Sequence, residues 1–301
     1  MIDGTSITVH SRRRDFWQRY LVLALGLAAA LAVWNPLWWR LNLLLFGGPV
    51  VVAVIWLRDT RVAAQWAAYA ASFAIFVFLR PMVDDWGPGP FAEYVITLDR
   101  WLGLGTVPTV ALQHAFYDST APAWWDWLGT IVYQSYYVCV PLVGLLVWRY
   151  RPAYLGPYLL GMSLAYLLGL FFHWLAPTVP PWMASMDGLL PPLHRPAWEL
   201  IGGWDSRATD AYMEFARKVD GNAVAAMPSL HTAAAVLVAR AAWMGPRWVR
   251  VLGITYAVFM LLVLVYFAEH YIVDGLAGAF LLLACWKMVP ASKGRGAGIA
   301  L

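Results

Sequence analysis

Residues 248–274 read WVRVLGITYAVFMLLVLVYFAEHYIVD. Trp248 to Phe267 is dominated by apolar side chains, a short break follows, and His270 opens a second apolar run that continues to residue 289. Apolar stretches of about 18 or more residues mark transmembrane helices, so this stretch leaves the bilayer and re-enters it. An ionisable residue placed there points to function, and histidine can move a proton near neutral pH or attack phosphorus. Earlier in the chain Met227-Pro228-Ser229-Leu230-His231 shows the same arrangement, a histidine where a polar segment gives way to an apolar run.

The pattern recurs outward from this stretch. Apolar runs occur near 20–39, 41–57, 62–80, 126–148, 153–175, 227–244, 248–267 and 270–289. At about 1.5 Å per residue most can cross a hydrocarbon core of about 30 Å. Hydrophobic residues make up 61% of the 301 positions and charged residues 13%, with a mean hydropathy of +0.61. A soluble domain carries about 25% charged residues, so the chain is expected to be an all-α polytopic membrane bundle of about eight spans. The 19 Trp and 15 Tyr fit two interfacial belts, with Trp124, Trp125 and Trp127 read as belt residues. Cys139 and Cys285 both lie inside apolar runs, which argues against a disulfide framework or a zinc cluster. The first run, Tyr20 to Trp34, reads as a retained anchor rather than a cleaved signal.

Basic residues orient the bundle. With a cytoplasmic N-terminus, fourteen Lys and Arg fall inside and seven outside, and the short loops Arg58–Arg61, Arg149–Arg151 and Arg247–Arg250 share the inner side. The positive-inside rule counts these loops, so both termini are expected in the cytoplasm. The outer face then carries two longer segments, 81–125 and 176–226. The first contains the stretch Tyr94 to Phe116, interrupted by Gly103, Gly105 and Pro108, which suits interfacial or re-entrant helices. The second is rich in proline, followed by a mixed helical stretch near Thr209–Val219, and the prolines and tryptophans favour an ordered cap. Residues 291–301 read as a cytoplasmic tail.

In this orientation His231 and His270 start two parallel helices at the same outer depth. Helix N-termini offer unpaired N–H groups and a positive dipole end, which suits phosphate. Asp274 follows His270 by four residues, so the pair is expected on one helical face, with the carboxylate accepting the Nδ1 proton and Nε2 left to react. Ser229 could bind a phosphoryl oxygen through its hydroxyl and N–H. Two histidines and an aspartate could also hold zinc, but no third close His or Cys ligand lies on those helices. No metal and no cofactor are expected.

These residues resemble the type 2 phosphatidic acid phosphatase superfamily, whose second motif is P-S-x-H and whose third ends in H-x-x-x-D. Pro228, Ser229 and His231 match the one, and His270 and Asp274 the other. The resemblance covers 62–290 as a six-helix core and leaves 1–61 as a two-helix addition. The superfamily's first motif, K-x6-R-P, has Gly169 and Ala176 in place of its Lys and Arg, and the S-R that opens the third is replaced by Val263-Leu264. Arg80-Pro81 looks like an R-P pair but falls on another span. The absent cations, with Pro180-Pro181-Trp182 after the preceding span, look like the inositol phosphorylceramide synthase branch.

That resemblance implies an enzyme in which His270, oriented by Asp274, attacks phosphorus while His231 protonates the leaving alkoxide. An alternative is direct transfer, with His270 and Asp274 deprotonating the acceptor. It implies transfer of a phosphoinositol-like headgroup from a phospholipid donor to a lipid or polyol alcohol, without nucleic acid. The alternatives are a lipid phosphate or polyprenyl diphosphate phosphatase, and a non-enzymatic lipid binder or transporter. With the motif cations missing, Arg80, Arg100, Arg195 and Arg207 are candidates to meet the phosphate, as is His173 at the first-motif position. Asp84, Asp85, Glu93 and Asp99 form either a polyol site or a hydrated acidic loop. The expected location is a bacterial inner membrane, with the site at the extracytoplasmic face.

Overall fold

The computed structural model describes residues 59–86, 91–201, 204 and 224–289. The two N-terminal apolar runs, Arg207, the stretch 209–219 and the tail 291–301 lie outside them. The described residues form ten α-helices, with two isolated parallel bridges and no strand. In chain order these are α1 (Thr60–Trp86), α2 (Glu93–Leu102), α3 (Pro108–Phe116), α4 (Trp124–Tyr150), α5 (Leu155–Leu175), α6 (Pro181–Met186), α7 (Pro196–Ile201), α8 (Leu230–Ala242), α9 (Arg247–Tyr266) and α10 (Ile272–Met288).

Four helical stretches are long and apolar enough to cross a membrane, Thr60–Met82, Trp124–Tyr150, Pro152–Leu175 and Arg247–Tyr266. The apolar runs near 227–244 and 270–289 give shorter helices of 13 and 17 residues. At about 1.5 Å per residue these reach about 20 and 26 Å. Local chemistry cuts α8 short. Ser229 caps its start with its hydroxyl oxygen accepting the Thr232 N–H, and Gly245-Pro246 follows its end.

Alanine sets the packing of α8. Ala233, Ala234 and Ala235 are buried with Leu237, and α8 touches α4, α5, α9 and α10. Without a hydrophobic driving force between helices in lipid, small residues at crossings let backbones approach and gain dispersion contacts. Gly278 of α10 is the extreme case, since a Cβ there would collide with the Ser229 carbonyl at the start of α8. On the other flank α1 lies along α5, where Tyr166 receives Phe73 at 5.3 Å and Phe76 at 5.5 Å between ring centroids.

All four short helices α2, α3, α6 and α7 are inserted at the same end of the bundle. Residues 94–116, read as interfacial or re-entrant helices, form α2 and α3, of 10 and 9 residues. A second apolar cluster joins Val95, Ile96 and Val107 to Val179, Trp182, Met183 and Leu190, and closes over Ala268 and Tyr271. Both cap segments therefore converge on the turn between α9 and α10.

Candidate active site

Ser229 builds the first half of the site. It is fully buried, its Oγ caps α8, and its N–H donates to the Asp274 carbonyl at 2.9 Å. That bond ties the start of α8 to the start of α10 and puts His231 in the first turn of α8. The His231 ring lies between Tyr133 and Tyr136 of α4, with centroids at 5.3 and 4.2 Å. Its Nε2 is buried without a hydrogen-bond partner among the described residues.

The second half is a turn, not a helix. Ala268 takes a left-handed conformation with φ of 58°, which costs about 1–2 kcal/mol for a residue with a Cβ. The N–H groups of Glu269 and His270 both donate to the Leu264 carbonyl. Neighbours then hold the turn. The Trp182 N–H donates to the Ala268 carbonyl at 3.0 Å, so Pro181 at the first position of α6 starts a helix whose next residue docks here. Arg195 meets Glu269 in a two-pronged pair, Nε and an Nη each 2.8 Å from a carboxylate oxygen, with Trp182 against its guanidinium at 4.4 Å.

His270 therefore precedes α10, and Asp274 stands in its first turn; the shared helical face expected from the spacing is not what joins them. They meet because the turn folds back. His270 Nδ1 lies 3.5 Å from Asp274 Oδ2, and that oxygen accepts the Tyr271 N–H at 2.8 Å. The rings of His231 and His270 are 5.6 Å apart at 60°. Both imidazoles and the carboxylate thus occupy one locality, His270 and Asp274 buried and His231 half-buried, with His270 Nδ1 and Asp274 Oδ1 making no hydrogen bond among the described residues.

The other predicted residues are placed differently from one another. His173 is buried on α5, and its Nε2 donates to the Pro228 carbonyl at 3.1 Å, so it supports the strand of chain entering His231. Arg80, on α1, lies within electrostatic reach of His231, His173 and Tyr136. The span that looked wrong for an R-P pair packs along α5, the helix that carries His173. Arg195 is buried and engaged by Glu269 rather than facing a headgroup. Arg100 is exposed in the last turn of α2. Gly169 abuts Leu230, where a Cβ would come within 2.9 Å of a Leu230 methyl.

The N-terminus of α10 is not an open anion site. Asp274 takes the Tyr271 N–H, and Asp99 of α2 accepts the Val273 N–H at 3.2 Å, with the Ile272 N–H also facing its carboxylate. Asp99 is fully buried, whereas Glu93 on the same helix is exposed. Burial, and the nearby Asp274 charge, push the Asp99 carboxyl up to about 6 against the pull of those N–H groups. Glu269, Tyr133 and Tyr136 escaped the sequence reading. An acidic residue directly before His270, and tyrosines three apart in the fourth apolar run, were the signals available.

Among the described residues no group of three or more His, Cys, Asp and Glu side chains is arranged to hold a metal. No curated protein and no solved structure matches the chain. A family model described as PAP2 superfamily matches residues 93–288, from the first turn of α2 to the end of α10. Histidines, carboxylate and cap helices fall inside that match with every described bundle helix but α1, and the chain belongs to the PAP2 superfamily.

Proposed function

We propose that this protein is an integral-membrane phosphotransferase that acts on lipid phosphoesters through His231, His270 and Asp274. In this reading it moves a phosphoinositol-like headgroup from a donor lipid to an alcohol. The observation that carries it is the 5.6 Å approach of the two imidazoles with Asp274 3.5 Å from His270 Nδ1. Superfamily membership supports a phosphatase or phosphotransferase kind of activity.

His270 Nε2 attacks phosphorus, a P–N bond forms, and the bond from phosphorus to the leaving oxygen breaks. Asp274 stabilises the imidazolium while His231 gives its proton to the departing alkoxide. The acceptor hydroxyl then loses its proton to His231 and attacks phosphorus, and the P–N bond breaks. Direct transfer, with His270 and Asp274 deprotonating the acceptor, uses the same three residues. Arg80 supplies positive charge in place of the motif Lys and Arg, which are Gly169 and Ala176 here. With so few cations the site suits a diester headgroup, which carries less charge than a monoester.

The count of fourteen basic residues against seven supports a site at the outer face. On that orientation α8 rises about 20 Å from its inner end at Ala242, so His231 in its first turn lies below the outer headgroup plane. The substrate's phosphate is drawn inward to meet it, under α2, α3, α6 and α7.

Purified protein and His270→Ala, each given phosphoinositides, lipid phosphates and lipid alcohols, test the reading by mass spectrometry of the products. New phosphodiester lipids that fall by about 10³-fold or more in the variant support headgroup transfer. Inorganic phosphate without such lipids makes the protein a phosphatase.

A further inference from the structure

We propose that Asp99 is a specificity-determining residue that disfavours phosphomonoester substrates by placing a fixed negative charge at the N-terminus of α10. The proposal rests on the phosphotransferase reading above and extends it to substrate choice. A helix N-terminus beside a nucleophile would ordinarily offer its first N–H groups to substrate phosphate. Here they are already engaged, Tyr271 by Asp274 and Val273 by Asp99, with Ile272 facing Asp99 as well.

Asp99 has no cation among the described groups acting on it. Those groups are Asp274, Tyr271 and the backbone N–H groups of Ile272 and Val273. Tyr94, on its own helix, faces Asp274. One oxygen of Asp99 makes no hydrogen bond among the described residues. The charge is fully buried and therefore weakly screened, so it is felt by a phosphoryl group at His270, three residues before Val273. A monoester dianion meets that field with one more negative charge than a diester monoanion, whereas an extra unit charge costs little in bulk water. Ser229, at the other helix start, has its N–H engaged by the Asp274 carbonyl and its hydroxyl oxygen accepting the Thr232 N–H, which leaves only its O–H for an anion.

Asp99→Asn keeps an oxygen for the Val273 N–H and removes the charge. Wild type, Asp99→Asn and His270→Ala are assayed at pH 8, where a phosphomonoester is a dianion. Phosphatidic acid and phosphatidylinositol of matched acyl chains serve as the substrates, with a lipid alcohol present and diacylglycerol release as the common readout. Asp99→Asn is expected to raise the monoester-to-diester ratio of kcat/KM by about tenfold. A purely structural role would lower both rates and leave the ratio alone; that outcome, in a variant that still turns over, overturns the proposal.

Inhibition of wild type gives a measurement independent of any variant. Dimethyl phosphate should inhibit at lower concentration than inorganic phosphate at pH 8, and the reverse order overturns the proposal. If wild type and His270→Ala release the same diacylglycerol, it is the phosphotransferase reading that falls, and substrate choice by Asp99 with it.

Discussion

At the scale of single residues the site depends on groups buried with a charge. Asp99 has the clearest consequence for pH. Its carboxyl is raised from 3.8 to about 6 in the native protein, so the native state holds this proton more tightly than the unfolded chain. Its contribution to stability is complete below about 3.8 and is lost as pH rises through about 6. Asp99→Asn should therefore unfold at a higher temperature than wild type at pH 7.5, with the gap closing as pH falls towards 4. Thermal unfolding in detergent across that range checks it, and a variant less stable than wild type at pH 7.5 refutes the sign. That His231, His270 and Asp274 stand near the starts of apolar runs was legible in the sequence. Their mutual distance was not legible, since it depends on a left-handed Ala268 that no local pattern demands.

At the scale of helices, the meeting of α8 and α10 sets where the chemistry sits. The Ser229 N–H reaches the Asp274 carbonyl because Gly278, one turn further along α10, lets the two backbones touch. Gly278→Ala puts a methyl group onto the Ser229 carbonyl and should cost about 1–3 kcal/mol, with activity falling alongside. Gly161→Ala is the control, because its Cβ would meet Trp286 at an ordinary 3.7 Å. Unfolding temperatures of both variants separate a general intolerance of alanine from this crossing in particular. Helical class and most helix positions were readable from apolar runs, as with α1, α4, α5 and α9. The run near 227–244 overstated its helix, since apolarity continues past the Ser229 cap and into the turn before Gly245-Pro246.

At the scale of the whole molecule, the cap and the bundle are joined through Arg195 and Glu269, residues 74 positions apart. The side chains are 2% and 10% exposed, so removing one partner leaves a buried charge. Arg195→Met should cost about 3–5 kcal/mol, and adding Glu269→Leu should restore much of it. A double-mutant cycle by unfolding measures the coupling, and additive losses would show that the pair does not couple. Such pairings were illegible because the chain alone gives no distance between 195 and 269, nor between Arg80 and the histidines. Arg80 itself lies outside the matched residues 93–288, on a helix that packs along α5, and its charge reaches His231 and His173. Leu230 decides how crowded that neighbourhood is. A Cβ at Gly169 would come within 2.9 Å of a Leu230 methyl, so any larger residue at 169 needs that leucine to turn aside. Leu230 stands one position before His231, and a side chain added at 169 is therefore felt where α8 begins.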